Sequence, residues 1–267
     1  MKTAITILVA LAGLAPAAAL AHGPSGHPAD PDLHVNATLK ECSIQFSPDL
    51  TQDAYGRFVR EFGSVSAYKL TSAPTPLGKW RVALGLEGIS FDVEDRADAW
   101  NDTFAHPDSY HELGANQTFP KVRVGLGVTD RIDVGAFYSL NPDANYGWLG
   151  LELKYGVLGQ SETTPVSLGL RGAYTKTLYV DDMDMHAFTA DVATARTFWG
   201  VLTPYLGFGA DAVWARETSD VVALQDESDV VPHVLGGAEL RFRHLSLGAE
   251  AQQGALSSFQ LQVTALF

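Results

Sequence analysis

The chain is 267 residues long, carries a formal net charge of −13 and contains one cysteine, Cys42. An acidic surface repels nucleic acid, so nucleic acid is not an expected partner. A single cysteine excludes an internal disulfide. No run beyond the N-terminal residues reaches the roughly 18 apolar residues that a membrane-spanning helix requires.

The N-terminal residues have the pattern of an export signal. Lys2 is followed by an apolar run over residues 4–15 and by a small-x-small sequence at 19–21. This order of charge, apolar run and small residues is typical of a signal peptide. The sequence therefore predicts that residues 1–21 are removed and that the mature chain begins at His22.

Residues 22–76 are expected to form an N-terminal extension. Its first part is rich in Pro, Gly and His and is typical of a flexible tail. Ser47 and Pro48 then have the order of an N-cap and a first helical residue. Apolar residues follow at helical spacing, namely Leu50, Ala54, Phe58 and Phe62. The pattern predicts a short amphipathic helix near 48–62.

After Leu77, apolar and polar residues alternate to the end of the chain, which is typical of β-strands. Ten predicted strands begin near the following residues: Trp80, Val122, Ile132, Leu149, Val166, Phe188, Leu206, Ala238, Leu245 and Phe259. In the first strand, Ile89 and Phe91 are out of phase with the apolar residues before Gly88. A β-bulge at Gly88 would restore the facing.

The two faces of these strands indicate a membrane barrel. One face is apolar, which suits lipid, and the other combines glycine with charged residues, which suits a narrow lumen. Connections after odd strands are mostly longer than those after even strands, as in outer-membrane barrels. We therefore expect residues 77–267 to form an all-β, closed antiparallel transmembrane β-barrel of about ten strands, with eight or twelve as alternatives and both termini periplasmic. Aromatic residues expected at the membrane interfaces are Trp80, Tyr138, Trp148, Tyr155 and Phe267.

The last strand resembles that of a known class of proteins. Residues 259–267 alternate apolar and polar side chains and end on the aromatic Phe267. This ending is similar to the final strand of bacterial outer-membrane β-barrel proteins, and the similarity covers roughly residues 77–267. The resemblance implies insertion by the barrel-assembly machinery, which reads Phe267. It also implies a location in the Gram-negative outer membrane, among its lipid and surface glycolipid, but no particular activity.

The polar face is expected to form a ladder of charges inside the barrel. Its expected members are Arg81, Glu87, Lys121, Arg123, Asp133, Glu152, Lys154, Arg171, Asp191, Asp211, Glu239, Arg241 and Glu250, together with Lys176 and Arg216. Basic and acidic members nearly balance, and buried charges require partners. A barrel of about ten strands encloses little space, so ion pairs that fill the lumen are favoured over a selective pore. The predicted helix either plugs the lumen or lies below it.

Acidic residues crowd in the expected outer loops. Two groups are Asp95, Asp98 and Asp102 in the first loop and Asp181, Asp182 and Asp184 in a later one. Carboxylate oxygens are the ligands that calcium and magnesium prefer. The loops are therefore candidate sites for a divalent cation that bridges them to the phosphates of surface glycolipid. The same residues also fit ordinary solvated loops, and no other cofactor is expected.

Three classes of function remain open from the sequence. The first is a structural barrel or a passive, porin-like pore for small solutes. The second is a surface hydrolase, because the ten-stranded omptin proteases carry histidine and acidic residues above the membrane. The residues that suggest it here are His106, His111 and His186, near Asp108 and Asp184, although no motif matches the omptins residue by residue. The third is a surface protein that binds a partner through residues 33–76 or the loops.

Overall fold

The computed structural model describes residues 42–67, 71–105, 113–141 and 143–267. The predicted signal peptide, the tail rich in Pro, Gly and His, and the loop containing His106, Asp108 and His111 lie outside these residues. In chain order the elements are β1 (Ser43–Ile44), α1 (Gln52–Ser66), β2 (Val82–Asp92), α2 (Asp98–Asn101), β3 (Phe104–Ala105), β4 (Asn116–Gly127), β5 (Ile132–Leu140), β6 (Gly147–Leu158), β7 (Ser167–Leu178), β8 (Met183–Ala195), β9 (Leu202–Glu217), β10 (Glu227–Arg241), β11 (Leu245–Gln253) and β12 (Ser257–Leu266).

Strand β2 and strands β4 to β12 form one closed antiparallel barrel of ten strands. Each pairs with the next, and β12 pairs with β2 to close the wall. We call the end where β2 begins and β12 finishes the turn end, and the opposite end the cap end. Connections at the cap end are 93–115, 141–146, 179–182, 218–226 and 254–256. The predicted ten-stranded barrel is confirmed, although among the connections at the cap end only 93–115 is clearly longer than every turn at the other end.

Alternation along the strands separates an apolar outside from a polar inside. Outward-facing residues that remain exposed include Leu84, Leu86, Val122, Val124, Leu151, Leu153, Leu170, Leu206, Phe208, Val234 and Leu261. The intervening residues face the lumen and are buried, among them Glu87, Arg123 and Glu250. This is the inverse of a soluble barrel and suits a wall surrounded by lipid.

Strand β2 contains no bulge. Its residues alternate between the two faces without interruption, and its register with β4 is continuous through Gly88. Ile89 and Phe91 therefore face the lumen on the same side as Glu87, and they are 0% and 2% exposed. The predicted bulge was wrong because the lumen near the cap end is itself apolar, so the chemical character of the inward face changes along the strand.

Helix α1 begins at Gln52, later than the predicted start at 48. Thr51 is the N-cap, and its hydroxyl accepts a hydrogen bond from the backbone N–H of Ala54 (3.3 Å). Ser47 instead accepts from the backbone N–H of Asp49 (3.2 Å) within a preceding turn. The predicted cap residue was wrong because a Ser-Pro pair also suits a turn before a helix.

The chain that precedes the barrel passes through its lumen. At the cap end β1 pairs with β3, and the N–H of Phe46 donates to the carboxylate of Asp182 (2.6 Å) between β7 and β8. Helix α1 lies inside the cap end against β8, β9 and β10. Residues 71–78, which we call the lumen segment, continue toward the turn end. There the N–H of Trp80 donates to the carbonyl of Gly127 (2.6 Å), and β2 begins.

The two described ends of the chain therefore lie at opposite ends of the barrel. Cys42, the first described residue, is buried at the cap end beside β1. Phe267 follows β12 at the turn end, where its N–H donates to the carbonyl of Val82 (2.9 Å). The predicted mature N-terminus, His22, lies outside the described residues, so the prediction that both termini are periplasmic stays a prediction. Within the described residues, the extension crosses the barrel once before the first barrel strand.

Candidate functional site in the barrel lumen

The cap half of the lumen is filled by apolar side chains. Helix α1 contributes Phe58 and Phe62, which are fully buried and stack with ring centroids 4.9 Å apart. Phe62 also contacts the ring of Trp148 in the wall (5.7 Å). Gly63 lies so close to β9 that a Cβ there would be 2.2 Å from Cγ1 of Val213. Burial of a large apolar side chain contributes about 1.5–3 kcal/mol. Polar contacts add to this: Gln52 bonds Glu227, Arg60 pairs with Asp229 (3.4 Å), and Glu61 accepts from Trp100 (2.6 Å).

The turn half of the lumen is filled by charges that are neighbours across the strands. Asp133, Lys154, Arg171 and Asp191 are successive cross-strand partners on β5, β6, β7 and β8. Lys154 Nζ is 3.7 Å from Asp133 Oδ2, and Arg171 Nη2 is 2.8 Å from Asp191 Oδ2. Further pairs are Arg123 with Glu152 (2.6 Å), Arg171 with Glu250 (3.2 Å) and Lys121 with Glu87 (3.8 Å). The ladder thus consists of pairs rather than isolated charges.

His233 on β10 extends this row and was not foreseen from the sequence. Its Nε2 is 2.7 Å from Asp191 Oδ1, and its Nδ1 is 3.1 Å from Asp211 Oδ2. Gly209 on β9 stands between Asp191 and His233, and a Cβ there would be 2.2 Å from Asp191 Oδ1. A glycine is required for this approach. His233 has the same period-two parity as Glu239, so a longer predicted strand would have found it.

The lumen segment is held by side chains of this charged wall. The N–H of Ala73 donates to Glu239 (3.0 Å), and the N–H of Leu77 donates to Asp133 (2.8 Å). Three further bonds join Thr71 to Gln260 (3.1 Å), Lys154 to the hydroxyl of Ser72 (3.2 Å) and Arg171 to the carbonyl of Ser72 (3.4 Å). An extended segment cannot pair its own backbone groups, and the charged wall supplies the partners that it needs.

The structure places most of the predicted ladder in the lumen. Eleven of its residues are buried there, namely Glu87, Lys121, Arg123, Asp133, Glu152, Lys154, Arg171, Asp191, Asp211, Glu239 and Glu250. Arg241 is half-buried and pairs with Glu239 (2.9 Å). Arg81 is half-buried at the turn end, where its N–H donates to the carbonyl of Gly78 (3.2 Å).

Two further expected members, Lys176 and Arg216, face outward and were wrongly placed in the lumen. Their side chains are 43% and 65% exposed, and both approach Asp184 on the outer face of β8. An inward side chain at this height would meet the apolar surroundings of α1, which disfavour a charge.

Four of the five predicted interface aromatics are exposed on the barrel: Trp80, Tyr138, Tyr155 and Phe267. Trp148 was wrongly placed with them. It faces the lumen, is buried, and contacts Phe62 and Phe119 with ring centroids 5.7 and 4.7 Å away. The helix in the lumen gives this large ring an apolar partner that a barrel without contents would lack.

The acidic loop residues do not come together as a metal site. Among the described residues, no group of three or more His, Cys, Asp or Glu side chains is placed to hold a metal ion. Asp95, Asp98 and Asp102 lie around α2, Asp181 is exposed, and Asp182 accepts the hydrogen bond from Phe46. The carboxylate of Asp184 is shared by Lys176 (3.0 Å), His186 (3.3 Å) and Arg216 (3.8 Å).

Tyr55 and Asp182 are acidic groups near the cap end whose pKa values are raised. Burial raises the pKa of Tyr55 above its ordinary value, and the carboxylates of Glu217, Asp226 and Glu227 raise it further. Burial also raises the pKa of Asp182, while the hydrogen bond from Phe46 acts in the opposite direction. Several carboxylates therefore lie close together at the cap end of the barrel.

The described histidine–carboxylate pairs do not form a loop cleft. His186 accompanies Asp184, but both project from the outer wall, where His186 also bonds the hydroxyl of Tyr174 (2.5 Å). His233 and its two aspartates are buried in the lumen. Neither pair is open to a soluble substrate, which leaves the surface-hydrolase hypothesis without support from these residues.

A closed antiparallel wall, an even number of strands, an apolar outside and a charged, filled interior define a β-barrel protein of the bacterial outer membrane. No helix among the described residues is long and apolar enough to span a membrane. No family model and no curated protein matches the chain.

Several solved structures are similar to this chain at low sequence identity. An outer-membrane channel from Pseudomonas putida F1 is 10% identical, with 75% of this chain and 100% of that chain covered and a TM-score of 0.43. Ail, the attachment invasion locus protein of Yersinia pestis, is 10% identical, with 71% and 99% covered and a TM-score of 0.33. The KdgM porin is 8% identical, with 68% and 98% covered and a TM-score of 0.34.

Proposed function

We propose that this outer-membrane protein is a structural barrel whose lumen is sealed by its own N-terminal extension, and not an open pore. The lumen segment carries this proposal, because it is bonded to the wall from Thr71, at Gln260, to Leu77, at Asp133. A barrel of ten strands encloses much less space than a sixteen-stranded porin, and α1 and residues 71–78 occupy that space.

The energetics support a closed resting state. Hydrogen bonds to charged groups contribute about 1.5–3 kcal/mol each, and the N–H groups of Ala73 and Leu77 both donate to carboxylates. Withdrawal of the segment would also leave Arg171 and Lys154 without their contacts to it. Thermal opening of the lumen is therefore expected to be rare.

The proposal includes an orientation. Delivery by the signal peptide of residues 1–21 and insertion by the barrel-assembly machinery would place the turn end, with the exposed Phe267, on the periplasmic side. The cap end, with α1 and the long connection 93–115, would then face the cell surface. Outer-membrane barrels keep short turns in the periplasm and longer loops outside, which supports this assignment.

Conductance of a barrel with a lockable helix tests the seal. Gly63→Cys and Val213→Cys place thiols where an added Cβ at position 63 lies 3.0 Å from the Cβ of Val213. A disulfide needs about 3.5–4.5 Å between these atoms, so a shift of about 0.5 Å between α1 and β9 allows it to form. Cys42→Ser removes the native thiol. The refolded protein is measured in planar bilayers under oxidising and reducing conditions, with a known open porin as the positive control.

A sealed barrel is expected to give no steady conductance in either redox state. Conductance under reducing conditions only would show that α1 moves out of the way to open a pore. Conductance in both states would show a path beside the fixed helix. Either result contradicts the proposal.

A further inference from the structure

The outer wall carries one cluster of positive charge at the cap end. Within the described barrel strands, Lys176 and Arg216 are the only Lys or Arg residues that face outward, and they lie side by side around Asp184. His186 lies between them, beside Lys176 on β7 and Trp214 on β9 in the strand register. In a chain with a net charge of −13, this local excess of cations is a distinct feature.

Aromatic side chains flank the cluster. The ring of His186 stacks on Trp214 with centroids 5.5 Å apart and an interplanar angle of 10°, and its Nδ1 bonds the hydroxyl of Tyr174. Trp and Tyr concentrate where a membrane wall passes from acyl chains to headgroups. The cluster is therefore at headgroup depth.

Between the cluster and the turn end, the outer surface of the barrel is apolar and has a depression formed by small residues. Gly172, Ala190 and Ala210 are successive cross-strand partners on β7, β8 and β9. The larger outward residues Phe188 and Phe208 lie on either side of this row along the strands. A depression between aromatic residues offers room for an acyl chain below a headgroup held by the cations.

We propose that Lys176 and Arg216, on either side of His186, bind the phosphate of a phosphorylated glycolipid in the leaflet at the cap end. Arg216 is the residue most available to a phosphate. Its side chain is 65% exposed, and its contact with Asp184 is long, at 3.8 Å. A guanidinium binds phosphate oxygens with two parallel hydrogen bonds. Asp184 balances one of the two cations, Lys176 and Arg216, and holds both near His186 in the absence of lipid. This inference rests on the proposed orientation, in which the cap end faces the glycolipid leaflet.

Binding of defined lipids to the full-length, refolded protein tests the site. Native mass spectrometry in detergent counts bound molecules of bisphosphorylated lipid A, of its dephosphorylated form and of phosphatidylglycerol, each titrated separately. A further titration adds inorganic phosphate to the lipid A complex. The variant is Lys176→Gln with Arg216→Gln, and the matched control is Lys79→Gln with Arg243→Gln, which removes two exposed cations at the turn end.

We expect lipid A to bind and the dephosphorylated form to bind much more weakly. Each cation near a membrane surface contributes about fivefold to the affinity for an anionic lipid, so the test variant should bind lipid A about thirtyfold more weakly. The control variant should bind like the parent. Both variants are first shown to be folded by their heat-dependent mobility on a gel.

Four outcomes would overturn the inference: equal binding by the test and control variants, indifference to the phosphates of lipid A, equally tight binding of phosphatidylglycerol, or displacement of the lipid by inorganic phosphate at similar concentration. The third would identify a general phospholipid site, and the fourth a site for free phosphate. None of these results depends on conductance, so failure here is distinguishable from failure of the sealed-barrel proposal.

Discussion

The two halves of the lumen are filled by different chemistry on the same strands. Near the cap end the inward residues are apolar, for example Ile89 and Val213, and they surround a helix. Near the turn end they are charged, for example Glu87 and Asp211, and they surround an extended segment. A helix pairs most of its own backbone groups and needs few backbone partners from the wall, whereas an extended segment needs partners for its N–H and C=O groups. The inward side chains of the wall are therefore apolar around the helix and charged around the extended segment.

The largest effect is expected when the charged half loses a cation. Arg171→Leu leaves Glu250 and Asp191 without their guanidinium partner (3.2 and 2.8 Å) and removes the bond to Ser72. Loss of one member of a buried charge pair costs about 3–5 kcal/mol. The free energy of unfolding, measured by urea titration in lipid vesicles, should fall by that amount.

Arg196→Leu is the matched control for this variant, because it removes an exposed arginine at the turn end. Its effect should remain within about 1 kcal/mol, because the side chain loses only an exposed contact with the ring of Phe198 (5.0 Å). If Arg171→Leu were as mild as the control, the charged half would not depend on its ion pairs, and the contrast between the two halves would fail.

A smaller effect is expected when the apolar half is overpacked. Gly63→Ala would place a methyl group 2.2 Å from Cγ1 of Val213, and overpacking of this kind costs about 1–3 kcal/mol. Val213→Ala in the same chain removes the clashing methyl and should recover part of the loss. A destabilisation that Val213→Ala does not relieve at all would show that α1 is not seated against β9 as described.

The smallest effect on stability is expected for Asp182, which lies in the connection between β7 and β8 at the cap end. Because burial raises the pKa of Asp182, the folded state favours its protonated form, and the stability that it contributes is lost as the pH rises through the folded pKa. Asp182→Asn keeps an acceptor for the N–H of Phe46 without the charge. The variant should therefore melt slightly higher than the parent at pH 7, and this difference should shrink toward pH 3. A lower melting temperature at pH 7 would show that the carboxylate itself stabilises the cap.

The wall could be predicted from the sequence because strands with period-two alternation can span a lipid bilayer only as a closed barrel. The same alternation also placed the buried ladder residues such as Lys154 and Glu250. The prediction was wrong for Ile89 and Phe91. These two residues were assigned to the outer face because they are hydrophobic, and not from their position in the alternation. Strict parity from Glu87 would have placed both in the lumen.

The contents of the lumen could not be predicted, because nothing in a strand pattern states that another part of the chain occupies the interior. Trp148 was assigned to the interface, and Lys176 was assigned to the lumen. His233 was missed because its strand was predicted too short. Strict parity would have placed Trp148 inward, opposite to Leu149, and Lys176 outward, like Tyr174. What the strand pattern could not supply is the partner inside the lumen, such as Phe62, whose ring lies 5.7 Å from that of Trp148.

The passage of residues 71–78 through the barrel also restricts the order of assembly. A helix with its side chains is about 10–12 Å across, and it could not be drawn through a wall that had already closed over its charged interior. We therefore expect the pairing of β12 with β2 to form around a chain that is already in place. Because β2 follows the lumen segment in the chain, the strand that closes the barrel is covalently linked to the segment that it encloses, and we expect closure to come late in folding.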